Sequence, residues 1–270
     1  MADSSWQPLP PLRETDSATA LAAAGDLLLA GTPAGLFKRT NGRWSRLELP
    51  ATEIQAIVVG GDPDLIAVGA GSAVEISIDD GDTWDHVDLD TTARVTALSV
   101  AGPVLLAGTD SDGIFRSTNS GKTWRKFGLE KQMVLAAAGD SLAGTDTGVW
   151  QHTAGEEWKK LSLEAVCTAL YCDGELVVAG TEEEGVFRST DGGNSWHKCP
   201  GVDEGINALA GSGQRIVAGT SVGRVHLSDD GGASWRELDA LPTAAMAVAI
   251  DGETALAGTY RSGVFRLSDG

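Results

Sequence analysis

Three short acidic segments hold the residues of this sequence best suited to chemistry. They are Asp110-Ser-Asp112, Asp146 and Glu182-Glu183-Glu184, and they begin 36 residues apart, at positions 110, 146 and 182. Two carboxylates held about 5 to 10 Å apart could hydrolyse a glycosidic bond. Without such a pairing, the same groups could bind a cation or a basic protein surface. Which chemistry applies depends on whether the fold brings the three segments together.

The remaining reactive side chains form no recognisable catalytic set. The four histidines fall on the third or fourth strands of separate copies of the repeat described below, so neither a catalytic triad nor a zinc cluster is predicted, and each is expected on a strand surface. They are His86, His152, His197 and His226. Tyr260 stands beside Arg261, and Arg13 is expected close to both if the chain ends meet. These three residues make a second candidate patch, basic and aromatic in character.

A repeated segment supplies the elements that position these residues. Ala179-Gly-Thr through Trp196 recurs with small changes as Ala107-Gly-Thr through Trp124. Aligning the small-residue step gives seven copies, spaced 36 to 39 residues apart, at Gly31, Gly69, Gly108, Gly144, Gly180, Gly219 and Gly258. A period near 40 residues is typical of solenoids and propellers.

Each repeat reads as four short strands. An alternating apolar run such as Val95-Thr-Ala-Leu-Ser-Val is followed by three further short runs, with Gly, Asp and Asn at the turns between them. The breaks come too often for helices. We therefore predict an all-β fold, a seven-bladed β-propeller of four-stranded blades, with residues 1–270 forming a single domain.

The turn between the third and fourth strands carries the motif Ser-x-Asp-x-Gly-x-x-Trp. Its short oxygen-bearing side chains can accept hydrogen bonds from the turn, glycine permits a positive φ, and the Trp buries a large ring. We predict that these residues are structural, with cation binding as the alternative. The four copies, one with Asn for Asp, are Ser77, Asp79, Gly81, Trp84; Ser117, Asn119, Gly121, Trp124; Ser189, Asp191, Gly193, Trp196; and Ser228, Asp230, Gly232, Trp235.

At these motifs the chain resembles the BNR/Asp-box propeller family, over nearly its whole length. That family includes sialidases, xyloglucanases, sortilin-type receptors and photosystem II assembly-factor-like propellers. The resemblance implies that the Asp-box turns are structural and face away from any active site. A sialidase-like site would need an Arg-Ile-Pro segment, which the sequence lacks, and a xyloglucanase-like site would need a cleft between two propellers.

The two ends of the chain are predicted to share the last blade. Each of the first six glycine steps is followed at an equivalent position by a Trp: Trp44, Trp84, Trp124, Trp158, Trp196 and Trp235. The seventh repeat ends at Gly263-Val-Phe-Arg without its Trp, whereas Ser5-Trp6-Gln near the start reads like Ser234-Trp235-Arg. An N-terminal strand carrying Trp6 would complete the blade and close the ring.

Charge and hydropathy limit the classes of partner. Thirty-eight acidic and twenty basic side chains give a net charge of −18, which opposes binding to nucleic acid or anionic membranes. The acidic excess suits solubility, a high-salt habitat or an acidic rim for a basic partner. No apolar run has the length of a membrane helix and no signal peptide is recognised, so a cytoplasmic location is expected.

In such a fold the second-to-third loops and the connections between blades open on one face, opposite the Asp-box turns. The candidate binding residues on that face are Arg13, Arg94, Asp110, Asp112, Asp146, Glu182, Glu183, Glu184, Tyr260 and Arg261. The sequence favours a non-catalytic, monomeric binding or assembly scaffold for a protein partner, without cofactor or metal. Alternatives are a glycan-binding or glycoside-hydrolase-like protein and a salt-adapted propeller with a small ligand in its channel.

Overall fold

The computed structural model describes residues 5–10, 12, 17–50, 53–61, 64–153 and 157–268. These residues form seven antiparallel sheets of four strands each, and no helix occurs among them. Neighbouring first strands contact each other all round the ring, including the last with the first. The predicted seven-bladed β-propeller is therefore confirmed. No described segment is a helix that could cross a membrane.

The first strand in the chain, β1 (Ser5–Pro8), belongs to the last blade. The next three blades follow in sequence order. Blade 1 is β2 (Ala20–Ala24), β3 (Leu27–Thr32), β4 (Gly35–Thr40) and β5 (Arg43–Arg46); blade 2 is β6 (Ile54–Gly60), β7 (Leu65–Ala70), β8 (Ala73–Ser77) and β9 (Asp85–Asp88); blade 3 is β10 (Val95–Ala101), β11 (Val104–Thr109), β12 (Ile114–Ser117) and β13 (Arg125–Lys126).

The remaining blades repeat the same order from the channel outwards. Blade 4 is β14 (Val134–Ala138), β15 (Leu142–Thr145), β16 (Gly148–His152) and β17 (Trp158–Lys160); blade 5 is β18 (Cys167–Asp173), β19 (Leu176–Thr181), β20 (Val186–Ser189) and β21 (His197–Lys198). Blade 6 is β22 (Ile206–Ser212), β23 (Arg215–Thr220), β24 (Val225–Ser228) and β25 (Arg236–Glu237); blade 7 is β26 (Ala245–Asp251), β27 (Thr254–Thr259), β28 (Gly263–Ser268) and β1.

The glycine that marks each repeat is the place where the next blade packs. A Cβ added to Gly108 would lie 2.3 Å from Val134 Cγ1, and one added to Gly180 would lie 2.5 Å from Ile206 Cγ2. In both cases the crowding atom belongs to the first residue of the next blade's inner strand. Only glycine lets the two sheets approach this closely, which explains why the repeat keeps this residue.

The motif Trp of each blade packs against the preceding blade. Trp84 packs against the cluster shared by blades 1 and 2, and Trp235 against the cluster shared by blades 5 and 6. Trp6 does the same for blade 7: it packs against a cluster that includes Leu238 and Leu241, and its Nε1 donates to Asp239 O at 2.8 Å. Strand β1 pairs with β28 in the register Trp6 to Leu267, as predicted for ring closure.

Candidate functional site

The upper face is defined by the second-to-third loops together with the connections between blades. Each of these loops is tied to the connection that leads into its own blade. The N–H groups of Asp110, Asp146 and Glu182 donate to the carbonyls of Arg94, Met133 and Val166 at 3.0, 3.2 and 3.1 Å. The three acidic residues therefore occupy equivalent positions in three consecutive blades, and the fold brings the three acidic segments to one rim.

A buried threonine fixes each of these loops. Thr109, Thr145 and Thr181 are fully buried, and their hydroxyls donate to Gly113 O, Gly148 O and Gly185 O at 2.9 Å each. The acidic residue comes directly after the threonine, so its backbone position is set by the turn. Sequence analysis used the Gly-Thr step only as an alignment marker, although the repetition of Thr was itself a signal of this role.

The three acidic segments, which we call the acidic arc, carry six carboxylates, and two of these are neutralised by basic side chains. Arg94 donates through Nε to Asp110 at 3.2 Å and also lies 3.7 Å from Glu53. Burial opposes ionisation of Asp110, but hydrogen bonds from Ser111 and Arg94 outweigh it and lower its pKa. Lys126 lies 2.7 Å from Asp112 and is the main cause of the lowered pKa of that carboxyl. Arg94, a candidate binding residue in the sequence analysis, therefore serves in the structure as an ion-pair partner of Asp110.

The other four carboxylates of the arc are without ionic partners among the described residues. Asp146, Glu182, Glu183 and Glu184 are all exposed, and none is in an ion pair among the residues the structure describes. Asp146 accepts one hydrogen bond, from the N–H of Met133 at 3.2 Å. These four carboxylates are free to meet an incoming group.

Three exposed apolar side chains share the upper face with these carboxylates. Met133, Val222 and Tyr260 have 43%, 63% and 45% of their surface exposed, whereas Ile78, the fourth large hydrophobic residue exposed in the described part of the chain, lies on the opposite face. From blade 4 to blade 7 the rim carries Met133 and Asp146, then Glu182, Val222 and Tyr260. We call this stretch the blade 4–7 sector. Sequence analysis did not nominate Met133 or Val222.

Tyr260 and Arg261 form the predicted corner at the end of the sector. The Arg261 guanidinium stacks over the Tyr260 ring, with Cζ 4.9 Å from the ring centroid. The backbone of Arg261 has a φ of 58°, and its N–H donates to Ser17 Oγ at 3.2 Å. Arg13, the third residue predicted for this corner, lies outside the described residues.

On the lower face, the Asp-box side chains hydrogen-bond within their own turns. Asp79 accepts from the Thr83 hydroxyl at 2.6 Å, from the Thr83 N–H at 2.9 Å and from Ser77 Oγ at 2.8 Å. These bonds, those from Thr83 first, lower its pKa to about 2. Asp191 and Asp230 repeat the arrangement and also have pKa values of about 2. Their oxygen atoms are occupied by donors from the protein itself.

The central channel contains a cavity of about 510 Å³, and most of the residues that line it have apolar side chains. One alanine from each of five inner strands contributes to the lining: Ala97, Ala137, Ala169, Ala208 and Ala247. Larger side chains such as Leu98 and Leu170 also line it, so the channel is not built of small residues alone. Tyr171 donates to Gly213 O at 3.0 Å, and burial raises its pKa. The lining has little equipment for acid–base chemistry.

Two blades carry an ionisable residue where the repeat has an aromatic one. Glu75 and His226 take the place of Phe115 on the third strand and are both buried. Glu75 Oε1 accepts a hydrogen bond from His86 Nδ1 at 2.8 Å, and burial lowers the pKa of His226. Sequence analysis placed these histidines on strand surfaces and missed the burial of Glu75 and His226.

No family model matches the sequence, and no curated protein matches it either. Several solved structures, however, are similar to the structure of this chain. Virginiamycin B lyase from Staphylococcus aureus has a TM-score of 0.79 at 12% identity over 100% of both chains. The GH74 xyloglucanase from Xanthomonas campestris has a TM-score of 0.73 at 20% identity, over 97% of this chain and 53% of the xyloglucanase.

A chain of the mitotic checkpoint complex is a third neighbour, with a TM-score of 0.75 at 14% identity over 100% of this chain and 92% of that one. At these identities the likeness shows the fold alone, and this chain spans about half the length of the xyloglucanase. The chain is a seven-bladed β-propeller, and its structural neighbours are diverse in what they do.

Proposed function

We propose that this chain is a non-catalytic binding or assembly platform of the BNR/Asp-box type, and that its blade 4–7 sector binds a basic protein partner. The observation that carries the proposal is the coincidence, on one stretch of rim, of unpaired carboxylates with exposed Met133, Val222 and Tyr260. Aromatic and Met side chains are enriched in the centres of protein interfaces, and charges around them steer the partner.

The division of the acidic arc assigns different roles to its residues. Asp110 and Asp112 already have cationic partners in Arg94 and Lys126, so binding a partner would require breaking those contacts. Asp146 and Glu182 to Glu184 have no such contacts to lose among the described residues. We therefore place the partner's basic side chains over blades 4 and 5 and its apolar contact over blades 6 and 7.

Three further statements belong to this proposal. We propose that residues 1–270 act as a single propeller domain, that the chain works as a monomer, and that it works in the cytoplasm. They rest on the continuous ring of blades and on the sequence features described above. The Asp-box hydrogen bonds support assignment to the BNR/Asp-box group, since the turns use Ser, Asp and Gly as that motif requires.

Affinity capture with matched variants tests the proposal. Wild type is compared with a triple variant, Glu182→Gln, Glu183→Gln and Glu184→Gln, and with a control that removes three charges elsewhere, Asp85→Asn, Asp173→Asn and Glu253→Gln. We expect basic proteins from the source cell to bind wild type and the control but not the triple variant or Tyr260→Ala, with binding weakened by salt. Capture by the triple variant at wild-type level would contradict the proposal.

Glycan binding or hydrolysis is the second candidate, because Asp146 and Glu182 are unpaired carboxylates on adjacent blades. The same proteins are therefore put through a sugar-binding screen and a hydrolase assay. Sugar binding or turnover that is present in wild type and the control, and lost in the triple variant, would favour this candidate over a protein partner.

A further inference from the structure

On the lower face, Asp-box turns cover the gaps between blades. The turn of one blade lies against the preceding blade: a Cβ added to Gly121 would be 2.8 Å from Ile76 Cδ1 of blade 2. A basic side chain of the preceding blade then donates to a carbonyl of that turn. Lys38 Nζ donates to Asp80 O at 2.6 Å, and Arg188 Nε donates to Gly231 O at 2.7 Å.

Blade 1 lacks this turn. From Arg39 to Trp44 its segment has six residues, whereas the Asp-box from Ser117 to Trp124 has eight. Arg39 pairs with Leu28 as Ser117 pairs with Leu105, so an arginine stands where the box has its serine. The gap between blades 7 and 1 is left open as a cavity of about 540 Å³.

Three side chains beside this gap have nitrogen donors with few or no acceptors. Arg266 is equivalent to Arg188, yet the only hydrogen bond of its guanidinium group among the described residues goes to Thr254 Oγ1, at 3.4 Å. The buried Nε of Arg39 has no hydrogen-bond partner. Trp44 Nε1 is also without one, as is Trp196 Nε1 in blade 5, whereas the box residue Trp124 donates to Gly121 O at 2.9 Å.

The cavity also contains Asp26 and Asp251, but neither forms an ion pair with Arg39 or Arg266 within the described part of the chain. Both arginines line the cavity, and their planar guanidinium groups match the geometry of phosphate and carboxylate oxygens. The volume lies in the range of small-ligand sites, about 300 to 1,000 Å³. An oxyanion there would supply the acceptors that the missing turn does not.

We propose that this cavity, between blades 7 and 1, binds a small ligand through an oxyanion group held by Arg39 and Arg266. Asp26 and Asp251 would accept hydrogen bonds from hydroxyl or amino groups of the same ligand. The ligand class is therefore a small hydroxylated phosphate or carboxylate. The site is on the face opposite the blade 4–7 sector and does not depend on the function proposed for that sector.

Indole N–H resonances provide a direct readout. The ¹⁵N-labelled protein is titrated with inorganic phosphate, glucose 6-phosphate or gluconate against chloride at equal ionic strength, and the Trp44 signal is assigned with Trp44→Phe. We expect a saturable shift of the Trp44 signal while that of Trp124 stays in place. Glucose 6-phosphate and gluconate separate phosphate from carboxylate recognition.

Matched variants decide the assignment. Arg39→Gln and Arg266→Gln should each weaken binding at least tenfold, while Arg236→Gln, on the exposed strand β25, should not change it. Absence of a saturable shift with all three probes, or wild-type affinity in both cavity variants, would overturn the proposal.

A restored turn provides a test that does not rely on losing a charge alone. Residues 39–44 are replaced by the eight residues 117–124, so that Arg266 regains a turn carbonyl and the gap closes. This variant should fold, unfold at a higher denaturant concentration than wild type, and show no binding of the probes. If it is folded and binds them as wild type does, the site is elsewhere and the proposal fails.

Discussion

At the scale of single residues, the Asp-box shows how a carboxylate can be structural on an acidic protein. Asp79, Asp191 and Asp230 accept hydrogen bonds from Ser, Thr and backbone donors of their own turns. Blade 3 carries Asn119 in the same place, and its Oδ1 still accepts from the Thr123 N–H at 3.0 Å. The amide keeps the geometry without the negative charge.

The comparison with Asn119 predicts that replacing these Asp residues by Asn reduces the loss of folding stability at acid pH. The folded-state pKa of about 2 lies below the ordinary value of 3.8, so each carboxylate stabilises the fold above about pH 4 and loses that contribution as pH falls towards 2. We expect the triple variant Asp79→Asn, Asp191→Asn and Asp230→Asn to lose less stability than wild type between pH 5 and pH 2.5. Urea unfolding at both pH values measures this, and equal losses would contradict it.

The Ser-x-Asp-x-Gly-x-x-Trp spacing was enough to locate these turns, because the hydrogen bonds of their Ser and Asp side chains are local. Buried Glu75 and His226 could not be found in the same way. Both side chains are buried in the folded blade, but a third strand with one ionisable residue at the aromatic position looks like an exposed strand in sequence.

At the scale of strands and sheets, the fit between blades depends on a glycine of one blade facing the first inner-strand residue of the next. The repeat revealed the glycine, but not what it faces. Pairing in the structure also shows that Ala136, not Ala137, is equivalent to Ala97, since Ala97 pairs with Gly108 and Ala136 with Gly144. A register irregularity near the start of these inner strands shifts the alternation, and no sequence pattern marked it.

Gly31 and Ile54 provide a test of this packing. A Cβ on Gly31 would lie 2.5 Å from Ile54 Cγ2, so Gly31→Ala should destabilise the protein by about 1 to 3 kcal/mol through overpacking. Ile54→Ala alone should cost about 2 to 5 kcal/mol, because Ile54 is buried.

The double variant separates packing from other effects of the two substitutions. Removing the Ile54 methyl groups relieves most of the clash, so the double variant should be less destabilised than the sum of the singles, by about 1 kcal/mol or more. Denaturant unfolding of all four proteins gives this difference. Strict additivity would mean that the two residues do not meet across the blade interface.

At the scale of the whole molecule, sequence analysis predicted the ring, its closure and the convergence of three acidic segments, because each follows from counting repeats. It could not tell which carboxylates of the arc are ion-paired and which are not. Whether Asp110 is neutralised depends on where the Arg94 side chain lies, and the contribution of Met133 and Val222 depends on how far each loop projects. The basis for the proposed function is therefore visible only in the assembled propeller.

The claim on which every face assignment rests is that the N-terminal strand closes the ring as the fourth strand of blade 7. Trp6 is half-buried against blade 6, as Trp235 is against blade 5, so the two residues should contribute alike. Trp6→Ala should cost about 2 to 3 kcal/mol, less than the roughly 3 to 5 kcal/mol of a fully buried aromatic residue.

The most direct test is the equilibrium unfolding free energy of Trp6→Ala, measured beside Trp235→Ala as the matched control. The account predicts that both variants lose stability by similar amounts and keep a single unfolding transition. A Trp6→Ala variant with the unfolding free energy of wild type, next to a destabilised Trp235→Ala variant, would contradict closure of the ring by the N-terminal strand.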